Sequence, residues 1–378
     1  MPLFFILLLA VYVTGNVYIF IRGWQTLSLA GKGIKAAYAV LFLLLASCFV
    51  VQFAMRNIEF GPVLGHVLHV AGTSWLVFSF YMMLYLVLME IIAGGAWLAK
   101  ARWRKDPARY KQFRIKSYWE GFLLIVCILS IGYYRYQRPY TEVVNLVINK
   151  PVDSEQKDLK VVAVSDIHLG YGTDKKQLQK YIRLIQAQKP DLILIGGDLI
   201  DNSLIPVREE KMEEELSLLK APLGVYAIAG NHEYISNIRE SEKFLKETPV
   251  TLLRDSVVTL PNGIQIIGRD DRHNRRRKKL SELTATIDKQ KPVILLDHQP
   301  YGLHETEEEQ IDLQFSGHTH RGQIWPVSLL TDRMFELSHG MKTAGNTHIY
   351  VSSGLSLWGP PFRIGTRSEL VVFNICFK

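Results

Sequence analysis

Long apolar segments in the first third of the chain limit its possible folds more than any other feature. A helix that crosses a membrane needs about 20 mostly apolar residues. The segments of this kind are Leu3–Ile21, Ala36–Met55, a stretch from about Val70 to Leu98, and the shorter Tyr118–Tyr134. The first has no basic residue before its apolar run and no small-residue cleavage site, so we interpret it as a retained helix rather than a signal peptide. Glu90 lies near the end of the third segment and is interpreted as interfacial. The sequence therefore predicts a module of four transmembrane helices.

The rest of the chain has the composition of a globular domain. Charged residues are mixed there with short apolar runs, and 378 residues exceed the usual size of one domain. We predict a transmembrane module over residues 1–136, a linker over residues 137–157 and a soluble domain over residues 158–378. Cys376 is the one cysteine of the soluble part, so no disulfide can form within it.

The net charge of +8 belongs to the membrane part of the chain. Residues 1–136 carry 13 Lys and Arg against 4 Asp and Glu, whereas residues 137–378 carry 31 against 32. The soluble part therefore lacks the basic footprint that binds a nucleic-acid backbone, apart from Arg275–Lys279, which we interpret as a solvated loop or helix start. This argues against nucleic acid as a partner and makes nuclease activity a weaker alternative.

The Lys and Arg residues of the short loops predict the orientation in the membrane. The loop after the first span has Arg22 and two lysines, and the loop after the third span has eight basic residues against one acid. The loop after the second span has only Arg56. We therefore expect a multi-pass cell-membrane protein whose residues 137–378 are extracytoplasmic, although Arg135 and Arg138 after the fourth span oppose this mildly.

Short apolar runs alternate with helical patterns from residue 159 onward, which is typical of a layered α/β domain. The predicted strands are Leu159–Ser165, Leu192–Gly196, Val225–Ala229, Ile264–Gly268, Val293–Asp297 and Leu313–Ser316. Five of these six strands are followed by His, Asp or Asn, and sites in layered α/β sheets form beyond the carboxyl ends of strands. We therefore expect the following side chains to converge: Asp166, His168, Asp198, Asn231, His232, His298, His318 and His320.

Carboxylates and neutral imidazoles together suit borderline divalent metals such as Zn, Mn or Fe, and no thiolate contributes. A lone Asp-x-His or His-x-His at a strand end is more often structural than functional. Five such pieces in order, each after an apolar strand and a tight turn, favour a metal centre instead.

The ordered motifs resemble those of the calcineurin-like metallophosphoesterases over roughly residues 158–375. The family pattern is Asp-x-His, Gly-Asp, Gly-Asn-His-Asp/Glu, a separate His and Gly-His-x-His, and this sequence departs from it nowhere. The apolar spans and the run Gly317–Ile324 resemble the membrane-tethered bacterial branch. The resemblance implies a layered β-sandwich with flanking helices and a centre of two divalent metal ions.

The resemblance also implies a role for each of these side chains. One metal would be held by Asp166, His168 and His320. The other would be held by Asn231, His298 and His318. Asp198 would bridge both metals and so act in catalysis. His232 would stabilise the developing negative charge or protonate the leaving oxygen, and we assign it as the general acid.

Several features near these motifs have two interpretations. Asp201 either hydrogen-bonds a ligand or caps a helix. Arg321 and Arg363 are candidates for binding substrate phosphate. The apolar loop Leu355–Phe362 either dips into the bilayer interface and admits a lipid or packs on its own domain. His339, outside the motifs, is interpreted as a surface or core residue.

The implied reaction is hydrolysis of a phosphodiester, pyrophosphate or phosphomonoester. A membrane tether favours the lipid bilayer as a partner and a phosphorylated lipid or cell-envelope compound as the substrate. One alternative is a UDP-2,3-diacylglucosamine pyrophosphatase of lipid A synthesis, whose cytosolic substrate conflicts with the predicted orientation. Another alternative is a metal-binding sensor that has lost catalysis, against which the intact ligand set argues. No oligomeric state follows from the sequence.

Overall fold

The structure, a computed structural model, describes residues 2–54 and 60–378. The chain divides into two compact units. One comprises Met1–Gly132 with Gly359–Pro361, and the other comprises Tyr133–Trp358 with Phe362–Lys378. Met55 and Arg56, which the sequence analysis assigned to the second span and the second loop, lie outside the described residues.

Long apolar helices make up the first unit. Its helices, over the described residues, are α1 (Pro2–Thr26), α2 (Lys32–Ala54), α3 (Pro62–Leu98), α4 (Arg102–Lys105) and α5 (Pro107–Gln137), the last of which continues into the second unit. In this described part, four helices are long and apolar enough to cross a membrane, and only α4 is too short. The predicted four-helix module is therefore confirmed, with a fourth helix that begins at Pro107 instead of Tyr118.

Arg22 lies inside the helical unit, and the prediction that it is a loop residue was wrong. Its side chain in α1 is almost fully buried, and its Nη1 lies 2.5 Å from Oε1 of Glu90 in α3. Tyr18 donates a hydrogen bond to the same oxygen at 2.9 Å, and Nη2 of Arg22 donates to the carbonyl of Arg114 at 3.3 Å. Pairing reduces the cost of holding both charges in apolar surroundings. Arg22 therefore stabilises the helix packing and does not contribute to the loop charge.

Two mixed β-sheets form the framework of the second unit. Over the described residues, its strands are β1 (Tyr140–Ile148), β2 (Asp158–Val164), β3 (Leu192–Ile195), β4 (Val225–Ile228), β5 (Val250–Leu253), β6 (Ser256–Thr259), β7 (Gln265–Gly268), β8 (Val293–Leu296), β9 (Leu313–Ser316), β10 (Gly340–Ala344), β11 (Thr347–Val351) and β12 (Glu369–Phe377). The first sheet has the order β1-β12-β2-β3-β4-β5, and the second has the order β10-β11-β9-β8-β7-β6. Strands β2 to β5 run parallel to one another, as do β7, β8, β9 and β11.

Eight short helices follow the strands in the described part of this unit. They are α6 (Lys175–Ala187), α7 (Ile205–Glu209), α8 (Met212–Leu216), α9 (Asn231–Ile235), α10 (Ile238–Leu245), α11 (Leu280–Thr284), α12 (His304–Glu308) and α13 (Val327–Met334). Helix α6 is strongly amphipathic and buries Leu178 and Ile182 against the outer face of the first sheet. Its N-terminus is capped by Asp174, whose Oδ1 accepts a hydrogen bond from the backbone N–H of Gln177 at 2.9 Å.

Alternating side chains fill the core on both faces of the sheets. In β2, Val161 and Ala163 lie in the apolar layer between the two sheets, whereas Val162 and Val164 lie in the layer that contains α6. The central layer joins Phe315 of β9 to Phe373 of β12, with ring centroids 6.2 Å apart. Side chains at successive positions point to opposite faces of a strand, so continuous apolar runs fit strands that are covered on both sides. The layered β-sandwich with flanking helices is thereby confirmed.

The segment predicted as a linker contains a strand, which corrects that prediction. Strand β1 pairs in parallel with β12 along its full length, from Tyr140 opposite Glu369 to Ile148 opposite Phe377. The first half of this strand is only half-buried, so polar residues such as Glu142 and Asn145 can be accommodated there. These residues interrupt the apolar pattern that would have predicted a strand. The soluble unit therefore begins near Tyr133 rather than at residue 158.

Candidate metal centre

The predicted site residues lie just beyond the carboxyl ends of parallel strands. β2 leads into Asp166, β3 into Asp198, β4 into Asn231, β8 into His298 and β9 into His318. The strands β2, β3 and β4 belong to one sheet and β8 and β9 to the other, so residues from both layers meet. The tight turns leave five of these residues with a left-handed backbone, namely Asp166, His168, Asp198, His318 and His320. Such strained conformations concentrate at functional sites.

Asp166, His168 and His320 form one cluster of buried donor atoms within 4.8 Å of one another. Nε2 of His168 lies 3.1 Å from Nε2 of His320, which in turn lies 3.4 Å from Oδ1 of Asp166. Two nitrogens that each bind one metal at 2.0–2.1 Å lie about 3 Å apart when they meet at a right angle. The cluster therefore has the spacing of three ligands of one cation.

Asp198, His298 and His318 form a second cluster within the same limit. Nε2 of His298 lies 3.0 Å from Oδ2 of Asp198, and Nδ1 of His318 lies 2.8 Å from Oδ1 of Asn231. The same Asp198 oxygen lies 3.9 Å from Nε2 of His168 in the first cluster. Asp198 thus stands between the two clusters, where a bridging ligand is required.

His298 provides a test of whether these residues fit a metal ion. Its Nδ1 contacts the carbonyl of Gly196 at 2.8 Å, which is the partner that commonly orients a metal-binding histidine. Its Nε2 is buried and has no hydrogen-bond partner among the described residues, although it faces Asp198. A lone pair that faces a buried carboxylate needs a proton or a cation between them. The donor set therefore fits divalent cations.

The local electrostatics agree with this fit. Burial raises the pKa of Asp166, and the charge of nearby Asp198 adds to the rise despite the opposing effect of His298. Burial also lowers the pKa of His318 to about 4, so its imidazole is neutral at pH 7, as metal binding requires. Burial lowers the pKa of His298, but the charge of Asp198 outweighs it and raises that pKa, while burial raises the pKa of Asp198 and His298 outweighs it and lowers that pKa. The Asp198 carboxylate is thus compensated by a positive charge on His298, a role that a bound cation would take over.

His232 lies beside both clusters without belonging to the predicted ligand set. Its backbone N–H donates to Oδ1 of Asp198 at 2.8 Å, and its ring stands edge-on to His168 with centroids 4.6 Å apart. Nδ1 of His232 lies 3.0 Å from Oδ1 of Asp201, without the alignment of a full hydrogen bond. Burial lowers the pKa of His232, but the contact with Asp201 and the charges of Asp198 and Asp201 outweigh it and raise the pKa to about 9.

The family model described as calcineurin-like phosphoesterase matches residues 159–322. An Aquifex aeolicus protein named as an uncharacterized metallophosphoesterase is 30% identical over 259 residues, which are 67% of this chain and 98% of that protein. The chain belongs to the calcineurin-like metallophosphoesterase family.

Other relatives of this metallophosphoesterase are longer than the matched region. A Helicobacter pylori protein with the same name is 35% identical over 233 residues, which are 60% of this chain and 62% of that protein. A Danio rerio protein named "transmembrane protein with metallophosphoesterase domain" is 30% identical over 240 residues, which are 58% of this chain and 53% of that protein. The match thus spans less than two thirds of these relatives.

Asp201 supports the metallophosphoesterase site and does not cap a helix. One carboxylate oxygen lies 3.3 Å from Nδ1 of His168 and 3.0 Å from Nδ1 of His232. Burial raises the pKa of Asp201, but the contacts with His168 and His232 outweigh it and lower the pKa below its usual range. The nearest following helix, α7, has Leu204 at its N-cap position. Asp201 therefore orients a predicted ligand and the predicted general acid with one negative charge.

Glu233 supports the candidate site, in a role that the sequence patterns did not predict. Its buried carboxylate accepts hydrogen bonds from the backbone N–H groups of Gly230 at 2.7 Å, Ile200 at 2.9 Å and Asp198 at 3.1 Å. These bonds fix the turn that presents Asp198. The acidic position that ends the Gly-Asn-His-Asp/Glu motif was the signal for this role.

Asp271 supports His298 through Gln299, the residue that follows His298 in the chain. The sequence patterns did not predict this role of Asp271 either. Asp271 follows β7, the predicted strand for which no polar end residue was considered. Its Oδ2 accepts a hydrogen bond from Nε2 of Gln299 at 2.8 Å, and its Oδ1 contacts Nδ1 of His273 at 2.8 Å. The two consecutive acids Asp270 and Asp271, shortly after that strand, were the available signal in the sequence.

Two glycines of the motifs are required by close packing. A Cβ on Gly230 would lie 2.2 Å from Oδ1 of Asp198, and a Cβ on Gly317 would lie 2.4 Å from Oδ2 of Asp166. Both distances are far below van der Waals contact. Any larger residue would displace a carboxylate of the centre.

The structure contradicts the prediction that Arg363 binds substrate phosphate. Its guanidinium is fully buried and donates hydrogen bonds to four backbone carbonyls. The acceptors and distances are His320 (2.9 Å), Ser353 (2.6 Å), Gly354 (3.1 Å) and Ser356 (2.7 Å). Burial lowers the pKa of Arg363 to about 10. Arg363 therefore fixes the turn that carries His320, whereas Arg321 is exposed and remains a candidate.

The apolar loop after β11 buries most of its large side chains. Leu355, Leu357 and Phe362 are buried, and Leu355 joins the core beside α6. Trp358 is the exception, because 52% of its surface is exposed. Leu355 therefore packs on its own domain, as one of the two interpretations of this loop predicts, whereas Trp358 does not.

Proposed function

We propose that the protein is a membrane-anchored phosphoesterase that uses two divalent metal ions to hydrolyse a phosphodiester, pyrophosphate or phosphomonoester. The observation that carries this proposal is the position of Asp198 between two clusters of His and Asp donors, all buried except the half-buried His318. When bound, two cations would neutralise charge at phosphorus and lower the pKa of an attacking water. Mn, Zn and Fe are the metals that this donor set suits.

The residues of the chain have distinct tasks in this proposal. Asp166, His168 and His320 would hold one ion, and Asn231, His298 and His318 would hold the other. Asp198 would be the shared ligand. His232 would donate a proton to the leaving oxygen, and the negative charge of Asp201 would keep it protonated.

We further propose that the substrate is a lipid or a cell-envelope compound. The four apolar helices support this, because they confine the soluble unit to the neighbourhood of a bilayer. The basic residues of the loops after the first and third spans favour an extracytoplasmic soluble unit. Without Arg22, the first and third loops still carry more Lys and Arg residues than the second loop.

Hydrolysis by the purified full-length protein tests the proposal. The protein is stripped of metal, reloaded with Mn or Zn, and assayed on bis(4-nitrophenyl) phosphate. We expect His318→Ala to lose at least about 100-fold in rate, because it removes a predicted ligand. His348→Ala is the matched control, since His348 lies on β11 and bonds only to Thr343 at 3.2 Å among the described side chains.

The same assay separates an enzyme from a sensor. Two bound metal ions per chain without any hydrolysis would favour a metal-binding sensor. A mass-spectrometric assay of extracted membrane lipids, together with a panel of mono- and diesters, identifies the ester class. If no lipid is cleaved while soluble esters are, the lipid part of the proposal is wrong.

A further inference from the structure

A basic cavity of about 310 Å³ is lined in part by Arg321, the residue that follows the predicted ligand His320 in the chain. The cavity is lined by three arginines, a histidine, a tyrosine and one acid, namely Arg135, Arg321, Arg367, His339, Tyr140 and Glu369. All of them belong to the unit that contains the centre.

The cavity adjoins the loop that carries a predicted ligand. Arg321 directly follows His320, and Ser353 also lines the cavity. The buried guanidinium of Arg363 donates to the carbonyls of both His320 and Ser353. One buried group therefore fixes both the cavity wall and the turn that carries His320, so a molecule in the cavity would lie beside that turn.

The charge of the cavity favours an anion. Arg135, Arg321 and Arg367 have exposed side chains and no ion-pair partner within residues 2–54 and 60–378. Glu369 is the one acid in the lining, and its carboxylate is already engaged by Nε2 of His339 at 3.0 Å and by the N–H of Ser353 at 2.8 Å. Guanidinium groups bind phosphate and carboxylate through paired, charge-assisted hydrogen bonds.

Of the residues that line the cavity, Arg135 lies nearest in sequence to a predicted membrane span. It lies in the last turn of α5, at the end of a segment that is long and apolar enough to cross a membrane. Basic residues at that position lie at the level of the lipid headgroups. Arg135 itself would therefore be within reach of an anionic headgroup.

We propose that this cavity is a subsite for a second anionic group, a phosphate or a carboxylate, of the same substrate whose ester is cleaved at the metal centre. The inference rests on the proposed function, and it narrows the substrate to compounds that carry a negative group beside the scissile ester. An anionic lipid headgroup and a soluble compound with two phosphates offer the same chemistry.

Two matched soluble esters test the subsite. They are the 4-nitrophenyl 5′-ester of thymidine 3′,5′-bisphosphate and the same ester without the 3′-phosphate. With metal-loaded full-length protein, we expect a lower KM for the ester with the second phosphate. Arg135→Gln and Arg367→Gln should each raise that KM by about tenfold, the effect of losing one charge-assisted contact, with little effect on kcat.

The control variant is Arg276→Gln, which makes the same charge change at an exposed arginine outside the cavity. It should keep the wild-type preference. No preference in the wild-type protein, or an equal KM increase for both esters in the cavity variants, would overturn the subsite.

A binding measurement separates the failure of the subsite from the failure of the proposed function. The metal-loaded protein in nanodiscs is titrated calorimetrically with glycerol 3-phosphate, and separately with vesicles of phosphatidic acid or of phosphatidylcholine. We expect Arg135→Gln and Arg367→Gln to weaken phosphate binding by about tenfold. Binding that Arg135→Gln and Arg367→Gln weaken, without hydrolysis of any ester, would overturn the phosphoesterase proposal but support the anion site; binding that these variants leave unchanged would belong to the metal centre and would overturn the anion site. Phosphatidic acid that binds when glycerol phosphate does not would identify the lipid as the source of the anionic group, and equal binding to phosphatidylcholine would overturn the anion site.

Discussion

Replacement of Asp201 by Asn tests how the predicted general acid is kept protonated. The carboxylate of Asp201 is 3.0 Å from Nδ1 of His232, and this contact helps to raise the pKa of His232 from 6.5 to about 9 against the lowering effect of burial. Asparagine keeps the size and one acceptor oxygen but removes the charge. The pKa of His232 should then fall toward its ordinary value.

The expected loss of rate depends on pH. At pH 8 a histidine with a pKa of 9 is about 90% protonated, whereas one with a pKa of 6.5 is about 3% protonated, a ratio of about 30. At pH 6 both are mostly protonated, and the ratio is below about 1.5. Because the pKa is raised in the wild type, the proton needed for catalysis is lost at higher pH there than in the variant. Asp201→Asn should therefore lower kcat by up to about 30-fold at pH 8 and by less than about twofold at pH 6.

The assay is the pH profile of kcat for an alkyl phosphoester, whose leaving oxygen needs a proton. Metal content is measured in parallel, because Asp201 also lies 3.3 Å from Nδ1 of His168. The variant His232→Asn is the reference, and the addition of Asp201→Asn to it should change the profile little further. An equal loss at pH 6 and pH 8 with unchanged metal content would refute the reasoning.

Four other perturbations have defined outcomes. Asp198→Asn should reduce hydrolysis by several orders of magnitude, and a residual rate above about a tenth of wild type, equivalent to about 1.4 kcal/mol of barrier, would contradict the bridging role. His232→Asn should keep the metal content and lower the rate about 10²–10⁴-fold for alkyl esters, with a smaller loss for nitrophenyl esters; equal losses for both would exclude proton donation. Gly230→Ala should lower the rate at least about 100-fold in a protein that stays folded by circular dichroism, because the new Cβ would lie 2.2 Å from Oδ1 of Asp198; wild-type activity would mean that the carboxylate can shift freely. A periplasm-active phosphatase reporter fused after residue 150 should be active and one inserted within residues 105–112 inactive, and the reverse result would place the soluble unit in the cytosol and favour the nucleotide-lipid pyrophosphatase alternative.

Much of the secondary structure followed from local patterns. The six predicted strands agree with β2, β3, β4, β7, β8 and β9 to within one residue at either end, because each is a short apolar run bounded by a turn. Strand β12 was missed although Glu369–Phe377 is mostly apolar. Its place between β1 and β2 depends on pairing with segments more than 200 residues away, and local periodicity carries no information about such partners.

The sequence by itself determined the composition of the candidate site, because its members follow strand ends and parallel strands bring their ends to one edge. The tertiary structure decided the roles of the charged residues between the motifs. Arg363 contacts the carbonyl of a residue 43 positions earlier, and Arg22 pairs with Glu90 68 positions later. Whether an arginine binds a phosphate, a backbone carbonyl or an acid depends on which groups surround it after folding, since its own chemistry suits all three.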